Sequence, residues 1–262
     1  MGVLEGKRGL VMGVANERSI AWGIAKACAE QGAELAFTYQ GEAFGKRLEP
    51  LARSIGSDFM VEVDVTDDTS LDAAFTALQA RWDRLDFLIH AIAYSDKSEL
   101  TGRILDTSRE NFKNCMDISA YSLIEVARRA HPMMLEHGGT ILTLSYMGST
   151  RVTPNYNVMG VAKAALESAV RYLADDLGPE GIRVNAISPG PMKTLAASAI
   201  GGVRKTYKHT DTNAPLRSNA TLEAVGGTAV YLCGDAGACT TGEIIHVDGG
   251  FHVLGMPQYD NL

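Results

Sequence analysis

Seven short apolar runs, separated by stretches with helix-start signals, recur along the whole chain, and this alternation limits the fold more than any other feature. The runs are Gly9 to Gly13, Leu35 to Tyr39, Phe59 to Val63, Phe87 to Ile92, Thr140 to Ser145, Arg183 to Ile187 and Ile244 to Val247. Short apolar segments of this kind suit strands buried on both faces. Ser19 precedes a helix reaching about Gln31, which Gly32 ends. Thr69 or Ser70 precedes Leu71 to Trp82, and Thr107 or Ser108 precedes the long stretch towards Arg129. Each is a side chain or glycine suited to that helix end. Strand and helix in regular succession imply parallel strands with helices covering both faces. The expected fold class is α/β: a doubly wound parallel sheet of about seven strands, with ligands bound outside the strands' carboxyl ends where strand order reverses. No linker, charge block or internal repeat divides the sequence, so residues 1–262 are expected to form one domain.

Composition narrows the partners. With 24 Lys+Arg against 31 Asp+Glu, the net charge is −7. That balance disfavours nucleic acid, whose phosphates call for excess cations. Apolar stretches such as Phe87 to Ala93 fall far short of a membrane span, so no membrane association is expected. The opening Met-Gly-Val-Leu-Glu-Gly-Lys-Arg has no secretory pattern. Cys28, Cys115, Cys233 and Cys239 show no metal-ligand spacing, which predicts buried free thiols, no metal site and a reducing, cytoplasmic setting.

Chemistry concentrates at strand ends. The first strand–helix junction, Gly13 to Gly23, has small Gly13 and Ala15 where backbone N–H groups must approach a pyrophosphate, and Ser19 as a hydroxyl and helix cap. Gln40 ends the second strand where an acidic residue would take ribose hydroxyls and an arginine a 2′-phosphate, which favours NADH over NADPH, with Lys46 and Arg47 nearby. Asp64, in Val63-Asp64-Val65, suits an adenine amino group or a loop cap. Small residues near Ile92 admit a ribose, whereas His90 reads as a core histidine. Pro189 to Arg217 follows the sixth strand, opens Pro-Gly-Pro and reads as an irregular lid. After Ser145-Tyr146 comes Tyr156-Asn157-Val158-Met159-Gly160-Val161-Ala162-Lys163. Seven helical steps come to about 700°, so Tyr156 and Lys163 share a face about 10.5 Å apart along the axis.

These segments, with Pro154-Asn155 ahead of Tyr156, Arg183-Val184-Asn185-Ala186-Ile187-Ser188 and His246-Val247-Asp248-Gly249-Gly250, carry a resemblance. The chain resembles the short-chain dehydrogenase/reductases, and within them the bacterial NADH-dependent enoyl-(acyl-carrier-protein) reductases of type II fatty acid synthesis. The resemblance spans essentially the full length and implies a Rossmann-like fold. Carbonyl-reducing members of the superfamily place a tyrosine four residues before the lysine. Here that position is Met159, which cannot donate a proton, and the tyrosine stands seven before Lys163.

The resemblance implies hydride transfer from NADH to the β-carbon of a trans-2-enoyl thioester. Tyr156 would stabilise the enolate, Lys163 would hold the nicotinamide ribose, and Tyr146 would be a second site tyrosine. It adds Ile20, Val65, Ile92, Met192, Thr194 and Ala196 to Gly13, Ala15, Ser19, Gln40 and Asp64 as cofactor contacts, and Ser95 and Met159 as substrate contacts. It further implies a homotetramer and an acyl carrier protein as partner. That partner is acidic, so Arg204 and Lys205, with Lys208, are the expected docking cations; relatives carry lysine where this chain has Gly201. An alcohol or ketone oxidoreductase and a non-catalytic cofactor-binding sensor are the other readings. A hydrolase built on Ala186-Ile187-Ser188-Pro189-Gly190 is disfavoured, because Pro189 has no N–H for an oxyanion hole.

Overall fold

Every strand pairing in the computed structural model is parallel, and the strand order reverses once. The structure describes residues 2–198 and 200–261. The ends of the chain, and one residue of the expected 189–217 lid, therefore lie outside the described residues. In chain order the elements are β1 (Arg8–Met12), α1 (Ile20–Glu30), β2 (Glu34–Tyr39), α2 (Glu42–Ser54), β3 (Phe59–Glu62), α3 (Asp68–Arg81), β4 (Phe87–His90), α4 (Lys97–Leu100) and α5 (Arg109–Met116). A π-helical turn at Asp117–Tyr121 leads into α6 (Ser122–Met134). There follow β5 (Gly139–Leu144), α7 (Asn157–Leu177), β6 (Ile182–Pro189), α8 (Leu195–Ser198), α9 (Val203–Asn213), α10 (Leu222–Cys233) and β7 (Ile244–Val247). The sheet order is β3-β2-β1-β4-β5-β6-β7, so the crevice opens between the carboxyl ends of β1 and β4. The seven expected strands are all present.

Alternate strand residues feed two cores, as the two-residue strand period demands. Leu10, Met12, Leu88 and Ile141 pack beneath α3, α6 and α7. Val11, Phe37, Phe87, Ile89 and Leu142 pack beneath α1, α2 and α10. A third, smaller cluster of Leu100, Cys115, Tyr156, Val158, Met159 and Ala162 stands at the sheet's carboxyl edge.

Local details correct three expectations. The α3 cap is Asp67, whose carboxylate accepts from the Thr69 N–H, not Thr69 or Ser70. Ser70 instead receives the Asp64 N–H on its hydroxyl. The 189–217 segment is not irregular, since α8 and α9 lie within it. Its helices escape a hydrophobic-period reading because the buried positions of α9 are Thr210 and Asn213. Of the four thiols, Cys28, Cys115 and Cys233 are buried but Cys239 is exposed. No helix among the described residues is long and apolar enough to cross a membrane.

Candidate active site

A cavity of about 680 Å³ opens at the switch point. Gly13, Ala15, Ser19 and Ile20 line one end, from the β1–α1 turn. Ala93, Tyr94 and Ser95 follow β4, and Ser145 and Tyr146 follow β5. From α7 and the residue before it come Tyr156, Met159 and Lys163. Met192, Thr194, Ala196, Ile200, Val203 and Thr206 close it from the lid.

Gly13 has a requirement of its own. Its φ is +92°, and a Cβ there would lie 2.0 Å from the Ala91 carbonyl oxygen. Only glycine lets β1 turn so close to β4. Ser19 behaves differently from its expected role. Its side chain makes no cap bond to α1; the hydroxyl accepts from the N–H groups of Ala15 and Asn16 and donates to the Asn16 carbonyl. It shapes the turn rather than the helix.

The Tyr156–Lys163 pair is buried, at 7% and 6% exposure. Tyr156 stands immediately before α7 as its cap, and Asn157 starts the helix with a φ of 33°, so helical spacing alone does not set its direction; both Tyr156 and Lys163 nevertheless line the cavity. Lys163 Nζ donates to the Leu144 carbonyl at 2.7 Å. An ammonium has three donors. Burial presses the Lys163 pKa down to about 8, while Cys115 and Glu167 pull it back up. Burial, then Tyr146, raises the Tyr156 hydroxyl well above the usual phenol range, so it stays a donor at any working pH. Tyr146, edge-on to Tyr156 with ring centroids 5.0 Å apart, is pushed up to about 12 by burial. His90 is a core residue. Thr143 and Ser122 bond both ring nitrogens, and burial lowers its pKa to about 3, keeping it neutral.

A phenol donor and an ammonium on one buried face, beside a glycine turn built for close approach, suit nucleotide-assisted reduction more than hydrolysis. The family model described as Enoyl-(Acyl carrier protein) reductase matches residues 13–252. The chain belongs to that family. It is 58% identical to the enoyl-(acyl-carrier-protein) reductase (NADH) 1 of Rhizobium meliloti (strain 1021), over 99% of this chain and 95% of that protein. Among solved structures, FabI from Candidatus Liberibacter asiaticus superposes with a TM-score of 0.96 at 50% identity, covering 98% of this chain and 100% of that one. The enoyl-(acyl-carrier-protein) reductase of Anaplasma phagocytophilum, solved in complex with NAD, gives 0.94 at 52%, covering 99% and 96%.

In this enoyl reductase family member the remaining expected cofactor residues lie outside the cavity lining, at the carboxyl ends of β2, β3 and β4. Gln40 Nε2 donates to Asp64 Oδ2 at 3.0 Å, which joins the two residues. Asp64 Oδ1 accepts from the Thr66 N–H and hydroxyl, holding its pKa below the usual value. Asp64 therefore does cap its loop. Val65 and Ile92 pack against the core. Lys46 pairs with Glu42, and Arg47 lies over the Phe44 ring. Arg204 and Lys205 are exposed on α9, on its outer side relative to Val203 and Thr206.

Three further positions next to the site carry no assignment from the sequence. Asn155 and Asn157 flank Tyr156 with φ of 59° and 33°. Asn155 Nδ2 donates to the Gly201 carbonyl, and Asn157 Nδ2 to those of Leu100 and Gly102. Each asparagine ties one wall of the cavity to the tyrosine between them. The third is Glu167, buried one turn beyond Lys163. A carboxylate at i+4 on the face already assigned to the site was the available signal.

Proposed function

We propose that the protein reduces the carbon–carbon double bond of trans-2-enoyl thioesters carried by acyl carrier protein, with NADH as reductant, in fatty acid biosynthesis. The observation that carries this reading is the composition of one buried face. It holds Tyr156 and Lys163, with apolar Met159 where a ketone reductase needs its phenol. The family membership and the names of the relatives support it. The NAD complex of the Anaplasma phagocytophilum relative supports the cofactor.

The residues fit a dinucleotide. Gly13 and Ala15 leave room for a pyrophosphate, with Ser19 holding their turn and Ile20 beside it. Lys163 has two N–H groups beyond its bond to Leu144 for ribose hydroxyls. Gln40 and Asp64 suit the adenosine end, against the apolar backing of Val65 and Ile92, while the nearby cations are engaged elsewhere, Lys46 with Glu42 and Arg47 over the Phe44 ring. Met192, Thr194 and Ala196 would border the nicotinamide side. When bound, NADH supplies the hydride that adds to the β-carbon. As negative charge grows on the thioester oxygen, buried Tyr156 donates a hydrogen bond to it. Such a bond is worth most where the dielectric is low. Tyr146 braces Tyr156, Met159 offers the acyl chain an apolar wall, and Ser95 would contact the substrate through its own backbone.

Arg204 and Lys205, on the exposed face of the lid helix, receive the acidic carrier. A homotetramer is supported by exposed Ile104, Phe112 and Val161, which with Val158 border a second apolar groove. The cytoplasm, where free thiols persist, is the proposed location. The test is loss of NADH absorbance with crotonyl and longer enoyl thioesters, run beside a panel of ketones. Oxidation with enoyl thioesters is expected; oxidation with ketones alone overturns the reading.

A further inference from the structure

The turn that carries Tyr146 is not held by apolar packing alone. Ser145 and Ser149 bracket it, and both hydroxyls donate to one oxygen, Oε1 of Glu167, at 2.5 and 2.6 Å. Glu167 is only 6% exposed, so its carboxyl group has been taken out of water to serve these two bonds. Burying a carboxyl group is costly unless the structure uses it. The 3-10 turn Met147–Ser149 follows Tyr146 and ends on the second clamped serine. Its Gly148 presses against the Tyr156 ring, where an added Cβ would lie 2.4 Å from Cδ1. On the other side, a Cβ on Gly160 of α7 would meet the Gly148 carbonyl at 2.7 Å. The turn is thus wedged between α7 and the Tyr156 ring, with Tyr146 at its leading end.

We propose that Glu167 is a positioning residue for the reaction: by clamping Ser145 and Ser149 it sets the turn that places Tyr146 and fixes the Tyr156 ring. It touches neither tyrosine hydroxyl and acts through the turn. The geometry explains why a carboxylate, rather than an alanine or leucine, occupies a core-facing site on α7. An apolar residue would leave two serine hydroxyls without this acceptor and the turn free to shift. The inference rests on the proposed role of the tyrosines.

The test is a double-mutant cycle on the full-length enzyme with an enoyl coenzyme A thioester. It compares the wild type, Glu167→Gln, Tyr146→Phe and the double variant. Glutamine keeps the shape but weakens the hydrogen bonds, and kcat is expected to fall roughly tenfold, the order of one charge-assisted bond. At pH 6.5, where Lys163 keeps its proton even without the upward pull of Glu167 on its pKa of about 8, KM for NADH is expected to stay within about twofold, because the β1–α1 turn is untouched. The double variant is expected to lose no more than the worse single variant, since both changes disable the same part. Multiplicative losses, or a matching rise in KM for NADH, would show a general structural role and overturn the proposal. Ser149→Ala, which removes one clamp and leaves the buried carboxyl group in place, is the second variant should Glu167→Gln fold poorly. It is expected to lower kcat roughly threefold with the same pattern, and unchanged kcat in it would overturn the proposal. Tyr156→Phe is run alongside. Full activity in that variant sinks the tyrosine reading and this proposal with it. A large loss there, with additive Glu167 effects, sinks this proposal alone.

Discussion

The two walls of the cavity are held by different physics. The rear wall, from β4, β5 and α7, has an apolar cluster of its own: Tyr156, Met159 and Ala162 pack with Leu100 and Cys115. The lid wall also turns apolar Leu195, Ile200 and Val203 to the cavity, but α9 behind it is anchored by polar groups. Its buried positions are Thr210 and Asn213, and it is tied down by side-chain bonds: Asn155 Nδ2 donates to the Gly201 carbonyl, and Asn213 Oδ1 accepts from the Gln258 N–H and the Asn261 amide. Core packing is dense and gives way all at once, whereas a segment resting on a few polar bonds opens at far lower cost. The contrast is a division of labour: buried, closely packed groups such as Tyr156 and Lys163 sit on the rear wall, and the segment proposed as a lid forms the other.

Substitutions can break or refine that contrast. The largest effect is expected on the rear wall. Tyr156→Phe should lower kcat by about 10²–10³-fold, the cost of one oxyanion donor, with little change in Tm. Turnover assays with thermal denaturation check it. Next is Gly13→Ala, which forces a Cβ onto the Ala91 carbonyl at a φ of +92°. It should cost about 1–3 kcal/mol of stability and weaken NADH binding, measured by denaturant melts and titration. The pH response follows from Lys163, whose burial lowers its pKa to about 8. The ammonium is present below that value and lost above it. NADH affinity of the free enzyme should therefore fall as pH rises, roughly tenfold between pH 7 and 9. Fluorescence titration across that range would show it; a flat profile would remove Lys163 from the cofactor site.

The lid should respond more weakly. Asn155→Gly retains the left-handed backbone but loses the bond to Gly201, and should raise KM for long-chain thioesters about threefold. Asn155→Ala, which adds backbone strain, should do more, and equal KM in both would locate the effect in the hydrogen bond alone. Smallest is Arg204→Glu. It should weaken carrier-borne substrates about threefold at low salt while sparing coenzyme A thioesters, with the difference vanishing at high salt. A uniform loss on both would refute carrier docking at α9.

The same contrast explains how much could be read beforehand. The strands and the faces of α1 and α7 were legible because apolar residues recur there at strand and helix periods. The lid helices were not, because Thr210 and Asn213 stand where apolar residues would announce a buried face. Ser19 was assigned to a cap by its position, but the turn's own N–H groups lay closer and took its hydroxyl. Asp64 had two compatible roles, and the structure shows the loop cap and a bond from Gln40. Glu167 went unassigned because a glutamate on a long helix usually faces water. Only packing against the β5 edge makes it an acceptor for two serines from a distant turn.

By itself, the sequence determined the parallel doubly wound sheet, the single domain, the crevice at the strands' carboxyl edge and the Tyr156–Lys163 pair beside it. Each of these follows from local periods and from side chains within one element. The tertiary structure alone decided which polar groups are buried together and how far their protonation shifts. Lys163 falls to about 8 and Tyr146 rises to about 12 because desolvation comes from neighbours remote in the chain. Such shifts depend on distance and burial in three dimensions, which residue spacing along a chain does not carry.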